Sequence, residues 1–118
     1  MTNESLRRDV LDKLRSALGE KAQEVLNDLI ALYLDDAPRL MQTMRQAAAG
    51  RDARRLHLAA HTLKSSSANL GAQALSDQSA ELEQLARAGQ LDEAAARIAR
   101  LDAEYQRVKQ ALLAEMEP

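Results

Sequence analysis

Two histidines four residues apart, His57 and His61, lie in the stretch LHLAAHTLKSSSANLG, residues 56–71, with Lys64, Ser65, Ser66 and Ser67 close behind them. Neutral imidazole, the ordinary form of histidine at cellular pH, is a competent nitrogen nucleophile, and a lysine one helical turn away supplies a cation for an anionic group. That pair suits phosphoryl chemistry, which needs positioning and charge neutralisation more than covalent help. The serines suggest a nucleophile of another kind, but no neighbouring residues complete a catalytic triad around Ser66 or Ser67, and both read as structural. A metal is the third chemistry to weigh, because histidines at i and i+4 share a helix face. Metal sites in bundles commonly take Glu-x-x-His pairs, whereas the residues three before these histidines are Arg54 and Leu58, so no metal site is expected.

The element that must position these groups is a helix over residues 52–70. At about 100° per residue, Leu56, Ala60, Leu63, Ser67 and Leu70 fall within an arc of about 80°, suited to facing a core, and His61 points roughly 140° away. On that outer side stand His57, Lys64, Ser65 and Ala68. Ser67, inside the arc, is a small residue that lets helices approach, with a hydroxyl able to bond the carbonyl four residues back. Asp52 is placed to cap the helix and Gly71 to end it.

Around it the chain reads as further amphipathic helices. A short first helix carries Leu6, Val10, Leu14 and Leu18, with Asn3 as its N-cap and Gly19 as its stop, and is expected across one end of the domain. From about 20 to 49, Leu26, Ile30, Tyr33, Ala37, Leu40, Met44 and Ala47 keep helical phase through Pro38, which predicts one long helix kinked there and closed by Gly50. Leu75, Gln78 or Ser79, Leu82 and Leu85 form a stripe over 73–88. Ala94, Ile98, Leu101, Tyr105, Val108 and Leu112 form another over 91–115. Four long amphipathic helices with short connections predict an all-α, antiparallel four-helix bundle with a short additional N-terminal helix, one domain over 1–118.

Composition agrees: the 118 residues include 4 Gly and 2 Pro, with no Phe or Trp. Eighteen acidic against sixteen basic side chains leave a net charge of −2, which argues against nucleic acid or membrane surfaces as partners. Residues 51–70 differ, with Arg51, Arg54, Arg55 and Lys64 against Asp52. The absence of cysteine excludes thiolate and disulfide chemistry. No signal-like or membrane-spanning run occurs, so the expectation is a cytoplasmic domain, either free-standing or the C-terminal module of a membrane-bound sensor kinase.

The string HTLKSSSANLG resembles the signature of the histidine-containing phosphotransfer (HPt) domain family, H-x-L-K-G-S-S-x-x-L-G, through His61, Leu63, Lys64, Ser66, Ser67, Leu70 and Gly71. The Asp-Asp-Ala-Pro-Arg-Leu stretch, the Gly-Arg-Asp turn and the acidic, Leu-rich helix after Gly71 extend the resemblance over nearly the whole chain. It implies a phosphorelay intermediate. His61 would accept a phosphoryl group from an aspartyl phosphate on a response-regulator receiver domain and pass it to another receiver, and Lys64 would steady its charge. Glu83, with Gln84 as the fallback, would hold the His61 Nδ1 proton. Partner docking would fall to His57, Ser65, Ala68 and Arg87, with Arg54 and Arg55 extending a positive rim. One departure stands out: Ser65 occupies the position of the usual glycine, adding a hydroxymethyl group where a partner's backbone would come close.

The resemblance also implies a monomer, with receivers and a hybrid histidine kinase as partners and Mg²⁺ held by the receiver. No nucleotide-phosphate motif is present, so no autonomous kinase activity is expected and this chain would carry no cofactor. The competing reading is a helical adaptor or dimerisation module in which His61 is incidental.

Overall fold

The computed structural model describes residues 5–116. Among the described residues five α-helices follow one another: α1 (Arg8–Leu18), α2 (Ala22–Ala49), α3 (Ala53–Asn69), α4 (Gln73–Arg87) and α5 (Leu91–Glu115). A short 3-10 turn, Gly19–Lys21, joins α1 to α2. Connections of three residues between α2, α3, α4 and α5 reverse the chain each time and leave these helices antiparallel to their sequence neighbours. Contacts close the ring, α2 on α3, α3 on α4, α4 on α5 and α5 back on α2, while α1 packs on α2. The result is an all-α four-helix bundle with an additional N-terminal helix.

The stripes read from the sequence line the core, with local shifts. Leu26, Ile30, Tyr33, Ala37, Met44 and Ala47 are buried on α2, and every member of the α5 seam from Ala94 to Leu112 is buried. On α2, Met41 takes the inner position and Leu40 is half-buried. Between Gln78 and Ser79 the core side falls to Ser79, whose hydroxyl donates to the Leu75 carbonyl at 2.9 Å. Buried small residues on α3 and α4, among them Ala60, Ser67, Ser76 and Ser79, leave room for these helices to approach closely. Ser76 Oγ donates across that seam to the Lys64 carbonyl at 2.9 Å.

Helix α2 runs unbroken through Pro38. Proline offers no N–H to the carbonyl four residues back, that of Leu34. Tyr105 Oη on α5 lies 3.5 Å from this Leu34 oxygen and donates to it, so tertiary packing replaces the lost helical bond. At the following turn the left-handed residue is Arg51, at φ 60°, while the C-cap Gly50 is at −84°.

The first helix departs most from expectation. The proposed cap Asn3 lies outside the described residues, and α1 begins at Arg8 with Arg7 at its N-cap and, among the described residues, no side-chain cap bond. Its buried residue is Leu11, with Val10, Leu14 and Leu18 half-buried around it. Three polar ties fix α1 at one end of the bundle. Arg8 and Arg15 reach the buried carboxylate of Glu115 at 2.8 and 2.9 Å, and the Arg7 N–H donates to the Gly71 carbonyl at 2.7 Å.

Candidate functional site

Helix α3 starts at a cap formed as the sequence suggests: the Asp52 side chain accepts from the Arg55 N–H at 3.0 Å. Leu56, Ala60, Leu63 and Ser67 turn inward, with relative exposures at or near zero, and this fixes the rotation of the helix about its axis. His61 is therefore carried outward, its side chain 56% exposed. At the other end Gly71 adopts φ +82°, and a Cβ there would lie 2.7 Å from the Arg7 carbonyl oxygen. The motif's last glycine thus serves both the left-handed turn and the close approach of the chain entering α1.

Glu83 on α4 is the centre of the site. Its carboxylate is almost wholly buried, 6% exposed, yet it faces α3. Oε2 accepts from His61 Nδ1 at 2.8 Å, and Oε1 accepts from Lys64 Nζ at 2.8 Å. His57 Nε2 stands 3.6 Å from the same Oε2, and the His57 and His61 rings stack nearly parallel, 15° apart in plane with centroids at 6.3 Å. Burial alone would raise the Glu83 carboxyl, but the hydrogen bonds from Lys64 and His61, together with their charges, outweigh it and hold the group below the usual glutamate value. As an ionised acceptor, Glu83 requires the His61 proton to sit on Nδ1. Nε2, on the opposite edge of an exposed ring, is left with its lone pair available.

The fold gives these side chains their partners. Lys64, the cation that the sequence places one turn from the imidazole, is one-third exposed and paired with Glu83. Ser67 meets the hydroxyl of Tyr33 at 2.8 Å in the core, and the serine that bonds backward within α3 is Ser66, to the Leu63 carbonyl at 3.3 Å. His57, read from the sequence as an outer-side docking residue, is half-buried with its Nε2 turned towards Glu83. Gln84 is exposed, and the bond to His61 comes from Glu83. Ser65 is exposed and Ala68 half-buried on α3.

Two shallow depressions flank the imidazole. On the α4 side, Ala53, Arg54, His57, Ala86 and Arg87 line one of about 320 Å³. On the α2 side, Asp36, Arg39, Leu40, Thr43 and Thr62 line one of about 200 Å³. Farther along the α2–α3 face, Leu29 and Leu32 rim a groove of about 430 Å³ with Leu14, Ser66 and Asn69. Leu32 and Leu58 are each more than half exposed. Sequence reading overlooked these leucines, although both lie off the core stripes of their helices, and an apolar residue out of phase is a surface signal. Among the described residues there is no cluster suited to a metal ion, and no helix is long and apolar enough to cross a membrane.

The Hpt domain sequence model matches residues 28–111, which contain His61, Lys64 and Glu83. The fold is similar to the crystal structure of histidine-containing phosphotransfer protein B (HptB) from Pseudomonas aeruginosa PAO1, with a TM-score of 0.87 and 27% sequence identity over 97% of this chain and 96% of that one. Among curated protein sequences, none matches the chain. With the family model spanning most of its length and the bundle superposing on HptB, the chain belongs to the Hpt domain family and has a phosphotransfer role in two-component signalling.

Proposed function

We propose that His61 is the phosphoryl carrier of a phosphorelay, loaded from an aspartyl phosphate on a receiver domain and unloaded onto another receiver. The observation that carries this reading is the 2.8 Å contact between His61 Nδ1 and buried Glu83, which anchors one ring nitrogen and leaves Nε2 available on an exposed imidazole. In the forward step, Nε2 attacks phosphorus in line, the N–P bond forms as the acyl phosphate O–P bond breaks, and the receiver's aspartate leaves as a carboxylate. The proton stays on Nδ1, so the ring gains positive character, which the Glu83 anion offsets. Lys64 turns from Glu83 Oε1 towards the phosphoryl oxygens.

Mg²⁺ and most of the catalytic apparatus are assigned to the receiver, and the domain works where receivers do, in the cytoplasm. Docking is assigned to the surface around His61: Ser65 and Ala68 along α3, His57 and Arg87 on the α4 side, and Leu58, Thr62 and Leu32 on the α2 side. An exposed apolar patch with a charged rim suits a transient interface of modest area.

The test is incubation with a phosphorylated receiver. Label that survives alkali, is lost in mild acid and disappears in His61→Gln supports the relay. If the His61→Gln variant binds and signals like the wild type, the adaptor reading replaces it.

A further inference from the structure

Glu83 is a buried carboxylate, and a buried charge that loses a partner is costly. Before transfer its oxygens are satisfied by His61 on Oε2 and Lys64 on Oε1. The phosphotransfer reading, on which the role of His57 rests, draws Lys64 away to the phosphoryl oxygens and leaves Oε1 without its donor. Among the described residues, one further imidazole or cationic nitrogen lies within 4.0 Å of this carboxylate: His57 Nε2, 3.6 Å from Oε2. That is beyond a hydrogen bond but short of one by less than an ångström. Arg54 and Arg87, which flank His57 in the same depression, make no such approach.

We propose that His57 is a positioning residue that stands in for Lys64 on Glu83 when His61 is phosphorylated. A carboxylate offers about four acceptor sites, so a small rotation of Glu83 brings His57 Nε2–H into hydrogen-bonding range without releasing His61 Nδ1. Stacking on His61 guides the movement, because a ring confined to a nearly parallel plane one helical turn away can slide towards Glu83 without colliding with its neighbour. The replacement keeps Glu83 compensated while the phosphoryl group holds Lys64. His57 touches neither the reacting nitrogen nor the phosphorus and acts only through Glu83.

The test follows transfer from a phosphorylated receiver to the full chain in its wild-type form and as His57→Leu, His57→Asn, His57→Gln, Glu83→Gln and the double variant His57→Leu/Glu83→Gln, with a thermal melt of each. Leucine removes the donor and asparagine is too short to reach Glu83, so both are expected to slow loading of His61 by about five- to tenfold. Glutamine, whose amide N–H can reach, is expected to stay within about twofold of wild type. In the Glu83→Gln background the leucine substitution is expected to add no further loss, because the amide carries no buried charge that needs a replacement donor. Asparagine keeps the comparison open should leucine disturb folding.

Loading of His57→Leu and His57→Asn at the wild-type rate overturns the proposal, as does an equal loss with Glu83 and with Gln at position 83. If the wild type itself takes no label from receivers, the phosphotransfer reading fails and the stand-in role with it. If the wild type is labelled and the His57 variants match it, only the stand-in role fails.

Discussion

Glu83 Oε2 and His61 Nδ1 are 2.8 Å apart although 22 residues separate them in the chain. One is nearly buried and the other more than half exposed, so the contact joins the bundle interior to an imidazole on the surface. The same carboxylate ties Lys64, which makes Glu83 the residue on which the charge balance of the site turns.

Glu83 also links the site to stability. Its carboxyl sits below the ordinary value in the folded state, so its ionised form contributes stability above the unfolded-state value, and that contribution is lost as pH falls through the lower folded value. Replacing it with alanine leaves His61 and Lys64 without their acceptor and is expected to cost about 1–3 kcal/mol near neutral pH. Urea unfolding of wild type and Glu83→Ala between pH 7 and pH 3 checks this. The difference between the two curves should shrink towards acid, and a constant gap would contradict the assignment.

Ser65 is exposed on α3, the helix that carries His61. Ser65→Gly restores the family's usual residue. The expected outcome is a loss of about 1 kcal/mol from glycine inside a helix, together with a changed ranking of receivers by kcat/KM. Transfer assays against a panel of receivers, read beside a melt, separate the two effects, and an unchanged ranking would remove Ser65 from partner choice.

The exposed leucines give a test of docking that leaves the reacting groups alone. Leu32→Ser and Leu58→Ser are expected to stay within about 0.5 kcal/mol of wild-type stability, since both side chains are already more than half in solvent. Each should raise the KM for a phosphorylated receiver several-fold with little change in kcat, as an interface residue remote from the chemistry would. Steady-state transfer at graded receiver concentrations provides the measurement.

At Gly71 two constraints coincide, a φ of +82° and a position where a Cβ would lie 2.7 Å from the Arg7 carbonyl oxygen. Gly71→Ala is expected to cost about 1–3 kcal/mol, a fall of several degrees in the melting temperature of a domain this size. Because the obstruction is the backbone entering α1, amide exchange in residues 8–18 should accelerate more than in α5. Uniform acceleration would mean that α1 is not the element displaced.

Much of this architecture is legible in the order of residues alone. Leu56, Ala60 and Leu63 recur at helical spacing, and that spacing turns them inward and His61 outward, because side-chain direction on a helix follows from 3.6 residues per turn. The seam from Ala94 to Leu112 is equally local, and so is the Asp52 cap. Periodicity is also why Pro38 did not break α2, although the Tyr105 hydroxyl that meets the freed Leu34 carbonyl comes from the opposite end of the sequence.

The chain alone therefore determined the helices, their inward faces and the exposed histidine, all consequences of local spacing. Which partner each functional group meets was decided by the tertiary structure. Lys64 and His57 have no sequence pattern that directs them to Glu83. Their approach depends on how far α4 is rotated against α3, and small residues such as Ser76, Ser79 and Ala60 set that by letting the two helices come close. On α1 the deepest position falls to Leu11, with Val10, Leu14 and Leu18 half-buried beside it, for a similar reason. A short helix held by Glu115 and Gly71 presents whatever face those anchors dictate, and a periodicity of only three turns is too weak to override them.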